Sequence, residues 1–99
     1  MSARTAAKVD ENQERIVAAL RGVGCSVAIT SGVGNGFPDL VLGHVNPRTG
    51  HLENLLVEVK TKEGKLEKTQ ITFHALWRGQ VCVVRSVREA LQAIGAIDG

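Results

Sequence analysis

The chain predicts an α/β domain: a small mixed β-sheet flanked by helices, in the order α-β-β-β-α-β-α. Three observations point that way. Ile16, Val17, Leu20 and Val23 form an apolar stripe at helical spacing. Short runs rich in Val, Leu and Ile follow, separated by turns containing Gly, Pro and Asn. Near the end, Ser86-Val87-Arg88-Glu89 has the form of a capping box ahead of another apolar-periodic stretch.

Each element follows in turn. Residues 1–10 are mostly small and polar and are expected to be a flexible lead-in, with a single domain over 11–99. Glu11 to Val23 is helical by pattern, and Gly24 is a natural stop. Cys25 to Thr30 is a strand. Ser31 to Gly36 (SGVGNG) holds three glycines and must be a loop, able to turn tightly or approach a ligand closely. Asp39 to Val45 and Asn54 to Lys60 are strands joined by the turn Asn46 to Gly50, which makes them a hairpin. Lys62 to Lys68 is a charged connection, Thr69 to Trp77 a short helix and Gln80 to Arg85 a strand. In the final helix Ser86 and Glu89 satisfy each other's backbone donors, and Val87, Leu91 and Ile94 face inward. A meander followed by a helical crossover gives a sheet of mixed direction.

Composition sets bounds. With 99 residues there is room for one compact domain, and the hydrophobic share of 43% is ordinary for one. Phe37, Phe73 and Trp77 are the only aromatic residues, so aliphatic side chains must build the core. A net charge of +2 suits a polyanionic partner without requiring one. Cys25 and Cys82 form no CxxC pair and are expected to be buried thiols in a reducing compartment. The first ten residues lack an apolar signal-like core, and no run is long enough to span a membrane. The expectation is therefore a cytoplasmic protein without membrane association.

The residues with chemical potential lie on the hairpin. In Leu55 to Lys60 (LLVEVK) alternation places Leu55, Val57 and Val59 on one face and Leu56, Glu58 and Lys60 on the other. An acid and a base on one face of a central strand need partners; an ion pair at a solvated strand end is one solution. Asp39 opens the neighbouring strand directly after Phe37-Pro38, where a plain turn aspartate is also common. If the strands pair as a hairpin, Asp39 lies near Glu58. Two adjacent carboxylates repel, and a divalent cation is the usual remedy. Lys60, one pleat away, would then stabilise negative charge at the same centre.

Pro38-Asp39 followed by Glu58-Val59-Lys60 resembles the PD-(D/E)XK nuclease signature, which implies a restriction-endonuclease-like core. The wider context is Gly36-Phe37-Pro38-Asp39-Leu40, then Val57-Glu58-Val59-Lys60, then Gly64-Lys65-Leu66 leading to Gln70 in a helix. This context is similar to the VRR-NUC group (virus-type replication and repair nucleases) and, more distantly, to archaeal Holliday-junction resolvases. The resemblance covers about residues 11 to 95. It implies a catalytic set of Asp39, Glu58, Lys60 and Gln70. Mg²⁺ or Mn²⁺ would be held by Asp39, Glu58 and the main-chain carbonyl of Val59. The family also places a glutamate on the first helix; Glu11, Gln13 and Glu14 lie near that place, and helical phase favours Glu14.

The same resemblance implies a structure-selective DNA endonuclease of DNA repair, acting as a homodimer on branched DNA such as Holliday junctions. It also suggests a bacterial or phage-encoded protein. Lys62, Lys65 and Lys68, with the amides of Gly34 and Gly36, are candidate DNA contacts, although Glu63 and Glu67 interleave with the lysines. Arg78, Arg85 and Arg88 follow later in the chain. His44, His51 and His74 lack metal-ligand spacing, and His44 and His74 are expected to be structural. Three alternatives stand beside this reading: a flap or sequence-tolerant nuclease, a non-cleaving nucleic-acid-binding subunit of the same fold, and a small structural domain whose acids only pair with lysines.

Overall fold

The structure, a computed structural model, describes residues 3–99, with side chains from Asp10 onward. Helix α1 (Ala3–Gly22) leads into strands β1 (Ser26–Ile29), β2 (Leu40–Val45) and β3 (Leu52–Val59). Helix α2 (Lys68–Leu76), strand β4 (Val81–Val84) and helix α3 (Val87–Ala93) complete the domain. The predicted order and the mixed sheet are both present. The strands lie in the order β1-β2-β3-β4, antiparallel through the meander and parallel between β3 and β4.

The first helix starts earlier in the chain than the apolar pattern marks. The lead-in expected over residues 1–10 carries helical backbone from Ala3 onward, and Met1 and Ser2 lie outside the described residues. Ala3, Ala6 and Ala7 are strong helix formers, and no Gly or Pro interrupts the stretch before Gly22. Apolar periodicity marks only the part of a helix that packs on something, so it missed the first two turns.

The core lies between one face of the sheet and the helix pair α1–α3. Ile16, Val17 and Leu20 from α1 meet Leu40 and Leu42 of β2, Leu55, Val57 and Val59 of β3 and Val84 of β4. Ala90 and Ile94 close it from the last helix, with Val87 and Leu91 packed partly against it. Each fully buried Leu or Ile contributes about 1.5–3 kcal/mol of transfer free energy. Val23, expected in the α1 stripe, is 53% exposed because the helix has already ended at Gly22.

The β2–β3 hairpin has the register Leu40↔Val57 and Leu42↔Leu55, so the inward residues of the two strands share a face. Leu56 and Glu58 point to the opposite face, as alternation predicts, and both are buried. Helix α2 forms the crossover to β4 and contains no buried residue. Its placement depends on the glycine loop. Gly36 has φ +80°, and a Cβ there would collide with the backbone carbonyl of Thr69 in the first turn of α2. Phe37 also packs edge-on against Phe73, ring centroids 5.4 Å apart.

The last helix is capped differently from the expected box. Ser86 Oγ accepts the N–H of Glu89 at 3.1 Å, but Glu89 Oε1 accepts the N–H of Arg85 at 2.7 Å, one residue upstream of the cap. Among the described residues, no helix is long and apolar enough to cross a membrane.

The contact at Gly36 yields a test. Gly36→Ala should destabilise the domain by more than about 1 kcal/mol, as at other positive-φ sites, in urea unfolding. It should also speed amide exchange in α2 while β2 and β3 stay protected. Gly50→Ala also sits at positive φ (75°) but meets nothing within 4 Å; it should show the backbone strain alone and leave α2 unaffected.

Candidate active site

The ladder carries the two acids together. One residue beyond the pair Leu40↔Val57, the antiparallel register sets Asp39 opposite Glu58. Both lie on the face turned away from the α1–α3 core. Asp39 Oδ2 accepts the N–H of Val59 at 2.8 Å, which anchors the carboxylate to the end of β3. In a strand a residue's N–H and C=O point to the same edge, so the Val59 carbonyl faces Asp39 as well.

The Asp39 backbone is fixed from the other side by a residue the sequence did not single out. Thr30 donates its N–H to the Asp39 carbonyl at 2.7 Å and its hydroxyl to the Pro38 carbonyl at 2.8 Å. No motif marks this threonine. It matters only because β1 pairs with β2.

Glu58 is 1% exposed, the one buried charged residue among those described. Gln70 Nε2 donates to its Oε2 at 3.4 Å, while Oε1 is buried with no hydrogen-bond partner. The Glu58 pKa is raised from 4.5 to about 8, first by burial and then by hydrogen bonding with Asp39 and repulsion from it. The Lys60 ammonium opposes this rise, and the Glu67 carboxylate reinforces it. Lys60 is therefore within electrostatic reach of Glu58, as strand alternation requires.

Gln70 is oriented at both ends. Its Oε1 accepts the N–H of Glu67 at 2.8 Å, capping α2, which leaves the amide NH₂ to face Glu58. The neighbouring side of α2 is only partly covered: Phe73 and His74 are half-buried and Trp77 is 44% exposed. His74 Nε2 is nevertheless buried without a partner, and burial lowers the pKa of the ring.

Around Lys60 two further residues do positioning work that the sequence did not reveal. Asn12 on α1 donates its Nδ2 to the carbonyls of Lys60 at 2.9 Å and Arg85 at 3.3 Å, tying the ends of β3 and β4 together. Arg85, one of the candidate basic residues, donates to the carbonyls of Thr61 and Gly64 and clasps the loop that follows Lys60. Its guanidinium is thus engaged by the protein. Lys62, Lys65 and Lys68 remain exposed.

Glu14 is not brought to the centre. It is exposed and lines a groove with Val17, Arg21 and Ile29. Among the described residues no group of three His, Cys, Asp or Glu side chains comes together. From the first helix it is Asn12 that reaches the site's edge, two residues before Glu14 and on another side of the helix. Cys25 and Cys82 are free thiols, and burial raises the pKa of both. His44 Nε2 lies 3.9 Å from Glu53, at the far end of the hairpin.

Two adjacent carboxylates, one with an orphaned buried oxygen, form an oxygen-rich corner that fits a hard divalent cation such as Mg²⁺ or Mn²⁺. Without a cation, the folded state keeps Glu58 protonated up to about pH 8, whereas the unfolded chain loses that proton near 4.5. Stability from this group is therefore complete below about pH 4.5 and is lost as pH rises toward 8. The unfolding free energy is expected to slope downward as pH rises across that window. Glu58→Gln should abolish that slope and make the metal-free protein more stable than wild type at pH 8, measured by denaturant unfolding in EDTA. A wild-type profile that is flat from pH 5 to 8 would show that Glu58 is not held neutral.

The VRR-NUC domain family matches this chain over residues 4–88, a span that includes all of these site residues. Comparison with curated proteins and with solved structures gave no match. With a mixed sheet in the order α-β-β-β-α-β-α and a match across most of its length, the chain belongs to the VRR-NUC domain family, a nuclease-type family.

Proposed function

We propose that the protein is a Mg²⁺- or Mn²⁺-dependent endonuclease that hydrolyses phosphodiester bonds in branched DNA. The observation carrying this reading is the pairing of Asp39 with Glu58, whose Oε1 is buried and unpartnered, while Gln70 bonds the same carboxylate and Lys60 lies within electrostatic reach of it. A buried carboxylate oxygen without a donor beside a second acid calls for an explanation, and a bound cation supplies one.

Asp39, Glu58 and the Val59 carbonyl would hold the cation. When bound, it would supply charge neutralisation at the scissile phosphate and acidify the attacking water. Lys60 places a fixed positive charge beside the phosphate and orients the water. Gln70 holds the Glu58 carboxylate in one rotamer. Asn12 holds the Lys60 backbone, Arg85 the loop that follows it and Thr30 the backbone of Asp39, so the constellation is set before substrate arrives.

Exposed Lys62, Lys65 and Lys68, with the amides around Gly34 and Gly36, offer contacts to the DNA backbone and none to base edges in a groove. Recognition by shape therefore suits this surface better than recognition of sequence. A homodimer would present two such centres to the paired strands of a junction.

Four-way junction, flap and linear duplex should be compared side by side with Mg²⁺ and with Mn²⁺, and the mass in solution measured. Branched DNA is expected to be cut and linear duplex spared; cleavage in excess EDTA would overturn the proposal. Lys60→Ala is expected to lose roughly 3–4 kcal/mol of transition-state stabilisation in single-turnover cleavage, with DNA affinity nearly unchanged. Robust cleavage by that variant would remove Lys60 from the chemistry.

A further inference from the structure

A second feature lies beside the carboxylate centre. A groove of about 470 Å³ runs along α2, lined by Asn35, Lys68, Thr69, Thr72, Phe73, Leu76 and Trp77. Its size falls within the roughly 300–1,000 Å³ typical of small-ligand sites. Residues 68, 72 and 76 form one row on the helix and residues 69, 73 and 77 the next, so one face of α2 makes the floor.

The aromatic end of the groove is rigid. The Trp77 indole stacks on Phe73, with centroids 5.1 Å apart and planes 18° from parallel. At its pyrrole nitrogen it leaves no room for a Cβ at Gly79, which would lie 2.8 Å from the indole Nε1. Phe73 is braced in turn by Phe37. Even so, Trp77 is 44% and Leu76 73% exposed. A braced aromatic surface left open to solvent suits a flat, sequence-independent π partner.

The other end is polar and cationic. Lys68 lies eight residues before Leu76, about 12 Å along the axis at 1.5 Å per residue. That is the reach from a stacked base to a phosphate one or two nucleotides away. Thr69, Thr72 and Asn35 add hydrogen-bonding groups between the two ends. Gln70, which touches Glu58, is next to Phe73 on the helix surface, so the groove borders the carboxylate centre. Charge at one end, stacking at the other and a reactive centre alongside favour a nucleotide over an apolar protein segment.

We infer that this groove is a subsite for one unpaired nucleobase next to the scissile phosphate, stacked on Trp77 and Leu76, with a phosphate one or two nucleotides along the strand on Lys68. The inference rests on the nuclease reading and sharpens it. Bases within an intact duplex have no free face, so only DNA with an opened or displaced nucleotide fills the subsite. Substrate choice is then made by an accessible base at the branch rather than by junction symmetry alone.

Trp77 is the sole tryptophan, so its emission reports on the groove directly. Wild-type protein in EDTA should be titrated with a duplex bearing a short oligothymidine flap, and with the same flap made abasic at the branch. The base-containing flap is expected to quench the emission and to bind about 5- to 100-fold more tightly than the abasic one. This comparison uses unaltered protein and does not depend on a variant folding. Trp77→Ala, checked for native circular dichroism, should bind both flaps with the weaker affinity.

Equal affinity and equal quenching for the two flaps would overturn the subsite. So would a change of Trp77→Ala from two copies to one, which would assign the groove to contact between subunits. Equal Mg²⁺-dependent cleavage of both flaps with no emission response would remove the subsite and leave the nuclease reading standing. Quenching by the base-containing flap with no cleavage in Mg²⁺ or Mn²⁺ would do the reverse.

Discussion

Glu58 lies buried on the face of β3 that the α1–α3 core does not cover, directly across the ladder from Asp39. A carboxylate there must stay protonated, accept hydrogen bonds or meet a cation, because water no longer solvates it. The structure supplies one weak donor, the Gln70 amide at 3.4 Å, and leaves the second oxygen without one. The neighbouring groups are arranged around this incompletely satisfied group. Ionised, this carboxylate is destabilising for the fold.

Each supporting residue comes from a different element. Asp39 directly precedes β2 and is braced by Thr30, directly after β1; Gln70 comes from α2, which the glycine loop sets in place through Gly36. Asn12 reaches from α1, and Arg85 from the end of β4, to the backbone around Lys60. The extensive core on the other face provides the rigidity that such a convergence needs. Helix α2 differs in kind. With no buried residue, it is held by the loop, by the aromatic cluster and by Gln70 itself, and so it exposes an apolar surface beside the centre.

Much of this was legible in the chain. Alternation in Leu55 to Lys60 assigned Glu58 and Lys60 to a common face, and the turn at Asn46 to Gly50 announced the hairpin that aligns Asp39 with them. Glu14 was the weak point. Helical phase places it beside the apolar stripe, yet that edge of α1 faces Ile29 and the β1 side rather than the carboxylates. Periodicity tells which side of a helix is buried, but not which flank of that side lies over the reactive end of the sheet. Thr30, Asn12 and Arg85 went unseen because each acts on a backbone carbonyl distant in sequence, and any residue exposes a carbonyl.

By itself, then, the sequence determined the order of elements, the inward faces of the strands and the identity of the acid–base pair. These follow from local periodicity and from residue chemistry within a few positions. Only the tertiary structure decided that α1 contributes Asn12 rather than an acid, that the Glu58 carboxyl is left half-satisfied, and that Trp77 stands braced but open. The physical reason is the same for all three. Register, helix rotation and solvent access are set by packing between segments far apart in the chain, and no local pattern encodes them.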